Sequence, residues 1–435
     1  MNGVTSWDTL APDEQQRQRG VARRHLVISS LGLMLGLGIW MTWSVLVLWL
    51  PAVGFHLSTG ELFGLTTVPA FTAALLRFMY ALAASRLGAR QMLQLSTLAL
   101  ILPALGISLV MGHPELPYID ILAVAALTGL GGACFSSVMI STSYQFPMAM
   151  QGRALGWTAG LGHLGIVMVQ ALLPWALMRP LLGYFSGPAS SATHHMWMQN
   201  AGLIWLPGIL LVLILAEIGL RDQVQSKVTR SVLRATFSRF DNFLLSWLYL
   251  GSLGSLIGFA SVEALLTHTL FKNAHLSSTY LGPLAAVIAI PVGGYLSDRH
   301  QRGAPLAVLM FMLTMVAVGG LFVSLPVADL EGSLPLYVGC FLLLFTTTGI
   351  AQGATLQMMA KLSEEQSPGH GHETLSVLLG WGSAIATVGG FFIPGMLASS
   401  MAMFNGTELA LFGFELFYAS CLVIAWWFWR LRDLG

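Results

Sequence analysis

Charged residues make up only 9% of this 435-residue chain, against about 25% in an ordinary soluble domain. Hydrophobic residues make up 55%, and the mean hydropathy is +0.74. A chain so poor in charge cannot cover itself with polar surface, so its outside must face lipid. The net charge is +1 with no long basic or acidic run, which argues against nucleic acid as a partner. Cysteine is scarce too. Cys134, Cys340 and Cys421 lie in apolar segments without CxxC or CxxH spacing; small buried hydrophobes are a better reading than a disulfide framework or a zinc site. No nucleophile–base arrangement and no GxxxxGK[ST] phosphate loop is present, so an enzyme is not expected and no cofactor is implied. The opening MNGVTSWDTLAPDEQQRQRGVARRH is polar for too long to be a signal peptide.

What the chain has instead is long apolar runs. With about 20 residues needed per spanning helix, twelve spans fall near 26–50, 61–84, 91–112, 119–146, 154–178, 199–219, 242–267, 277–296, 304–325, 335–360, 374–398 and 409–429. The basic residues support the count. Arg17, Arg19, Arg23, Arg24, Arg86, Arg90, Arg153, Arg221, Lys227, Arg230, Arg234, Arg239, Arg299, Arg302, Lys361, Arg430 and Arg432 all fall on one side of such a plan. Only Arg179 and Lys272 fall outside it, and Arg77 falls within a span. The positive-inside rule then places both termini in the cytoplasm and the protein in the cytoplasmic (inner) membrane as a multi-pass protein. The expected organisation is a tail at 1–25, a six-helix bundle at 26–219, a cytoplasmic linker at 220–241, a second six-helix bundle at 242–429 and a tail at 430–435.

The halves echo each other. Leu155-Gly156-Trp157 opens span 5 and Leu379-Gly380-Trp381 opens span 11, each running into further glycines. Span 2 exits through ASRLGAR and span 8 through LSDRHQRG. Parallel six-helix repeats of this kind place a substrate midway across the membrane, between the halves. Gly156, Gly160, Gly162 and Gly165 in span 5, and Gly380, Gly389 and Gly390 in span 11, would cost a soluble helix about 1 kcal/mol each. In lipid, small residues let helices approach closely. Packing alone accounts for them, or a thin helix wall also leaves room for a small substrate.

Three polar side chains fall at one depth. Arg77 stands nine residues before Arg86, His163 ten after Arg153, and Tyr249 eight after Asp241; at 1.5 Å per residue these are about 13, 15 and 12 Å in from the cytoplasmic boundary. No carboxylate joins them, since Glu263 falls about 33 Å from Asp241, at the outer mouth. A buried cation without an anion is costly unless a ligand supplies the charge, so a small anion is the expected partner. The alternatives are that Arg77 bonds to backbone carbonyls and only pins helices, and that His163 is a satisfied packing residue.

The segment GLGGACFSSVMISTSYQFPMAMQGRALGWTAGLGHLGIVMVQ resembles the signature of the nitrate/nitrite porters of the major facilitator superfamily. GSLIGFASVEALL, LGPLAAVIAIPVGGYLSDR and LLGWGSAIATVGGFFIP extend the likeness through the second half, and YLSDRHQRG resembles the superfamily's cytoplasmic signature. The resemblance implies an all-α membrane protein of twelve transmembrane helices in two pseudo-symmetric halves, moving nitrate or nitrite by alternating access. It implies that Arg77 grips a planar oxyanion, with Phe135 and Tyr249 beside it and Trp40 and Trp43 walling the cavity. Two departures stand out: the family's second arginine would fall at Ile290, and its usual asparagine in the span 5 signature is His163. If His163 is protonated when the anion is bound, it restores the missing charge and couples a proton to transport.

The rival readings are a porter of the same fold for another small anion or a carboxylate, and a non-transporting anion sensor. The sensor would carry an appended soluble domain or long tail, which RLRDLG does not offer. Monomer is the expectation for the fold. No metal site is expected: His194-His195 and His370-Gly371-His372 lack further ligands at suitable spacing. Pro174, Pro291 and Pro394 are expected to bend helices.

Overall fold

The computed structural model describes residues 7, 11–181, 196–221, 228–271, 279–326 and 332–432. The pair His194-His195, together with Lys227 and Lys272, lies outside these residues, as do parts of both expected tails and of the linker. Among the described residues, twelve helices are long and apolar enough to cross a membrane: spans 1 to 12 are Pro12–Trp49, Thr59–Leu87, Ala89–Val110, Tyr118–Ser143, Met148–Leu177, Asn200–Gly219, Phe240–Leu270, Leu281–His300, Gly303–Ser324, Leu334–Gln366, Gly371–Phe404 and Glu408–Arg430. An even number of crossings puts both termini at one end of the bundle.

Two boundaries differ from the sequence reading for physical reasons. The helix that carries span 1 begins at Pro12, outside the expected crossing near 26–50, because proline at the first helical position, Asp13 and Glu14 in the first turn, and the good helix formers that follow extend it outward. Residues 12–25 of the expected tail are therefore helix. Within the linker, Arg230–Phe237 forms a further helix capped by Thr229, and Phe237 packs edge-on against Trp381 of span 11 at 4.9 Å.

The first six and last six spans face each other through matched pairs: span 5 on span 8, span 2 on span 11, and span 1 on span 7. Glycines set the closest approaches. Gly156 and Gly160 face span 8, where an added Cβ would lie 3.2 Å from the Ile290 carbonyl or 2.8 Å from that of Val287. Gly162 and Gly165 do not widen that face. They pack on span 1, against Leu33 and the Met34 carbonyl, because at 100° per residue they point to the opposite side of the helix. In span 11, Gly380 and Gly390 pack on Ala81 and Ala70 of span 2, and Gly389 on the Gly254 backbone of span 7. Pro174, Pro291 and Pro394 all lie inside helices.

The halves touch at both ends. At the end bearing the termini, Asp298 of span 8 accepts hydrogen bonds from the backbone N–H of Gly152 (3.1 Å) and Arg153 (2.6 Å) at the start of span 5. Tyr144 stacks on His372 there, with ring centroids 5.6 Å apart. Toward the other end, Gln170 of span 5 donates to the Ala260 carbonyl of span 7 (2.9 Å), and Phe71 meets Phe391 at 5.8 Å.

Candidate functional site

Span 2 is fixed at its start by a capping box, in which Ser58 and Glu61 satisfy each other's backbone N–H groups. That register carries Arg77 into the middle of the bundle, where it is 0% exposed. Its Nε donates to the Gly132 carbonyl of span 4 (2.9 Å), and its Nη1 to the Ser383 carbonyl of span 11 (3.1 Å). The second bond crosses between the halves. The guanidinium carbon lies 4.5 Å from the Phe135 ring centre and 5.7 Å from that of Trp40. Nη2 is buried without a partner, and among the described residues no carboxylate pairs with this arginine.

His163 joins the group through Phe135, whose ring meets the imidazole edge-on at 6.2 Å. Its Nδ1 lies 2.7 Å from the Ala159 carbonyl one turn back. A carbonyl can only accept, so Nδ1 carries the proton and Nε2 is left as the second site. Nε2 is buried with no partner.

Tyr249 is also fully buried, with an unpartnered hydroxyl. It sits immediately before a π-helical turn, Leu250–Gly254, of the kind that appears mostly as a single widened turn at functional positions. The Tyr249 ring rests by Gly382, next to the Ser383 that receives Nη1 of Arg77. The structure thus gathers Arg77, Phe135, Trp40, His163 and Tyr249. Trp43 is buried with its Nε1 unpartnered, and with Trp40, Ile257 and Gly390 it borders a void of about 10 Å³.

Other expectations land elsewhere. Ile290 is fully buried, with its carbonyl against Gly156 of span 5 and Gly353 of span 10. Glu263 is 4% exposed, and Thr267, whose hydroxyl donates to its carbonyl, lies 3.5 Å from the Tyr337 hydroxyl of span 10. Phe259 of span 7 and Tyr337 and Phe341 of span 10 form an aromatic cluster in the same part of the fold. His370 stands 3.8 Å from Glu373, while His372 serves the Tyr144 stack.

One residue escaped the sequence reading. Gln352 of span 10 is fully buried with both side-chain polar atoms unpartnered, and it faces the Tyr249 phenol. Its signal was available: it stands nine residues before Lys361, at the same depth as Arg77 relative to Arg86. An uncharged amide simply did not register against the arginine.

Arg77 Nη2, His163 Nε2, the Tyr249 hydroxyl and the Gln352 amide are each buried without a partner. Buried polar atoms normally find partners. Three offer or can offer N–H or O–H donors, so the missing partner is an acceptor, and the fixed charge favours an anionic one.

Comparison with known proteins follows the same line. A family model described as Major Facilitator Superfamily matches residues 28–394. The nitrate/nitrite transporter NarU of Salmonella typhimurium is 32% identical over 95% of this chain and 92% of its own length. NarU of Escherichia coli is 32% identical with the same coverage. Among solved structures, a bacterial homologue of the lysosomal transporter Spinster, in an inward-facing and occupied conformation, aligns with a TM-score of 0.65 at 18% identity, over 94% of this chain and 97% of that one.

Proposed function

The chain belongs to the nitrate/nitrite porter family of the major facilitator superfamily, and from that premise we propose that it carries nitrate or nitrite across the membrane by alternating access, with both termini in the cytoplasm. Arg77 holds the anion. The observation that carries this reading is a fully buried guanidinium with an unpartnered Nη2 and no carboxylate beside it. A guanidinium presents parallel N–H donors to two oxygens of a planar oxyanion. Two of its donors are already occupied by carbonyls of spans 4 and 11, which aim what remains. Tyr249 and Gln352 add neutral donors from the second half, and Phe135 stacks beneath the guanidinium.

His163 supplies the second charge when it takes a proton on Nε2. The anion and the proton then travel together. Movement between the two access states breaks one set of end contacts at a time: the Asp298 cap of span 5 at one end, or the Gln170–Ala260 bond at the other. The 26–219 and 242–429 bundles move as the two bodies.

The experiment is counterflow of labelled nitrate in proteoliposomes, run with and without a pH gradient. Exchange of nitrate and nitrite, faster with an inward proton gradient, is the expected result. Uptake indifferent to the gradient and unchanged in His163→Asn removes proton coupling. The same-fold alternative, a porter for another small anion, is favoured by one feature, the apolar Ile290. Competition by formate, chlorate and thiocyanate against labelled nitrate separates the two.

A further inference from the structure

At the end of the bundle that carries the termini, spans 1 and 5 leave an outward-facing groove of about 580 Å³. One end is apolar, formed by Leu26 and Val27 of span 1 and by Trp157 and Leu161 of span 5. Val27 and Trp157 are half exposed, at 51% and 49%, which on a spanning helix means that they face acyl chains. The other end carries three guanidiniums, Arg19, Arg23 and Arg153, and among the described residues no carboxylate lines the groove.

Aromatic rings position two of these arginines. Arg19 lies over the Trp7 ring at 5.7 Å, and Arg153 over the Tyr295 ring at 4.9 Å. Nε of Arg153 is buried and unpartnered. Arg19 and Arg23 are four apart on one helix and so share a face. The combination of a basic end and an apolar end at the membrane boundary is amphipathic, and so must be its occupant.

We propose that this groove binds one anionic phospholipid from the leaflet at that end. The phosphate lies on the guanidiniums of Arg19, Arg23 and Arg153, and the first acyl carbons run along Trp157 and Leu161. Guanidinium forks match phosphate oxygens, and basic pockets between spanning helices suit anionic head groups. A soluble phosphate would leave the apolar end unused. The site also touches the latch between the halves, because the backbone N–H of Arg153 is one of the two held by Asp298.

The test is native mass spectrometry of the full chain in detergent, with phosphatidylglycerol, phosphatidylcholine and inorganic phosphate as probes. One phosphatidylglycerol retained per chain, with phosphatidylcholine at least about tenfold weaker, is the expected result. The triple variant Arg19→Gln/Arg23→Gln/Arg153→Gln is expected to lose about tenfold or more of that retention, whereas Arg230→Gln/Arg234→Gln in the linker keeps it. Should the triple variant not remain monodisperse, Arg19→Gln/Arg23→Gln leaves the latch residue intact and reads the same loss. Equal retention by the variants, or equal retention of the zwitterionic lipid, overturns the proposal. Displacement of the lipid by inorganic phosphate alone overturns the lipid as the source and leaves a soluble phosphate site.

Discussion

Arg77→Lys tests the centre of the molecule most directly, because it keeps the charge and removes the geometry. The lysine ammonium can reach one carbonyl at a time and cannot bridge Gly132 and Ser383 as Nε and Nη1 do. Nor does it stack flat on Phe135, where the guanidinium carbon now sits 4.5 Å from the ring centre. For the bound anion, a fork that offers two donors becomes a point that offers one. Losing one hydrogen bond to a charged group costs about 1.5–3 kcal/mol, which at about 1.4 kcal/mol per decade is a roughly 10- to 100-fold weaker nitrate affinity. Calorimetric titration on purified protein gives the affinity, and a thermal melt gives the stability separately. The competing idea, that Arg77 only pins spans 2, 4 and 11 together, makes the opposite forecast: a lower melting temperature with the affinity unchanged. Nitrate binding within about twofold of the parent, whatever the melt shows, refutes the anion-holding role.

Other perturbations separate neighbouring ideas. Tyr249→Phe removes a buried hydroxyl that has no partner, so the melt of the empty protein should hold while nitrate affinity falls about 3- to 10-fold; a marked destabilisation without an affinity change is the contrary result. Asp298→Ala strips the cap from two N–H groups of span 5, at a cost of about 0.5–2 kcal/mol for a helix cap. Thiol labelling of Ser297→Cys, a buried and near-isosteric position beside Asp298, should then speed up several-fold, with Asp298→Asn intermediate, and unchanged labelling would refute the latch. Gly165→Val drives a side chain into the Met34 carbonyl of span 1, and overpacking of this kind costs about 1–3 kcal/mol; a melt equal to that of the parent would show that spans 1 and 5 can separate freely there.

Much of the fold was legible because lipid leaves few choices. A chain that is 9% charged can hide its backbone only in helices, and arginines such as Arg86 and Arg299 recur where every second helix ends. The depth rule worked for Arg77, His163 and Tyr249 because a helix advances by a fixed rise, and side chains at equal depth on central helices meet. It failed where orientation rather than depth decides. Gly162 and Gly165 shared a stretch with Gly156 and Gly160 but not a face. The π-helical turn after Tyr249 had no sequence signal either. It exists because Gly251 and Gly254 let span 7 widen against Phe311 and Ala386, a contact between spans far apart in the chain.

The substitution at Ile290 bears on whether the empty carrier can turn over. Two fixed cations enclosed together repel each other; 8 Å apart, at an effective dielectric constant of about 20, they would do so by about 2 kcal/mol. A carrier with such a pair closes poorly without its anion, which enforces exchange. Here, where the resemblance puts the second cation, Ile290 is fully buried. The first cation is shared between two carbonyls, one on each half, so Arg77 itself helps to close the empty protein. His163 can remain neutral in that state, with Nδ1–H on Ala159 and Nε2 free, and take a proton only with the anion. Net uptake into vesicles that contain no nitrate or nitrite is therefore expected, at a rate within about threefold of counterflow under an inward proton gradient. Brisk counterflow with no net uptake would mean that the empty carrier cannot return, and that the single arginine does not relax the requirement for exchange.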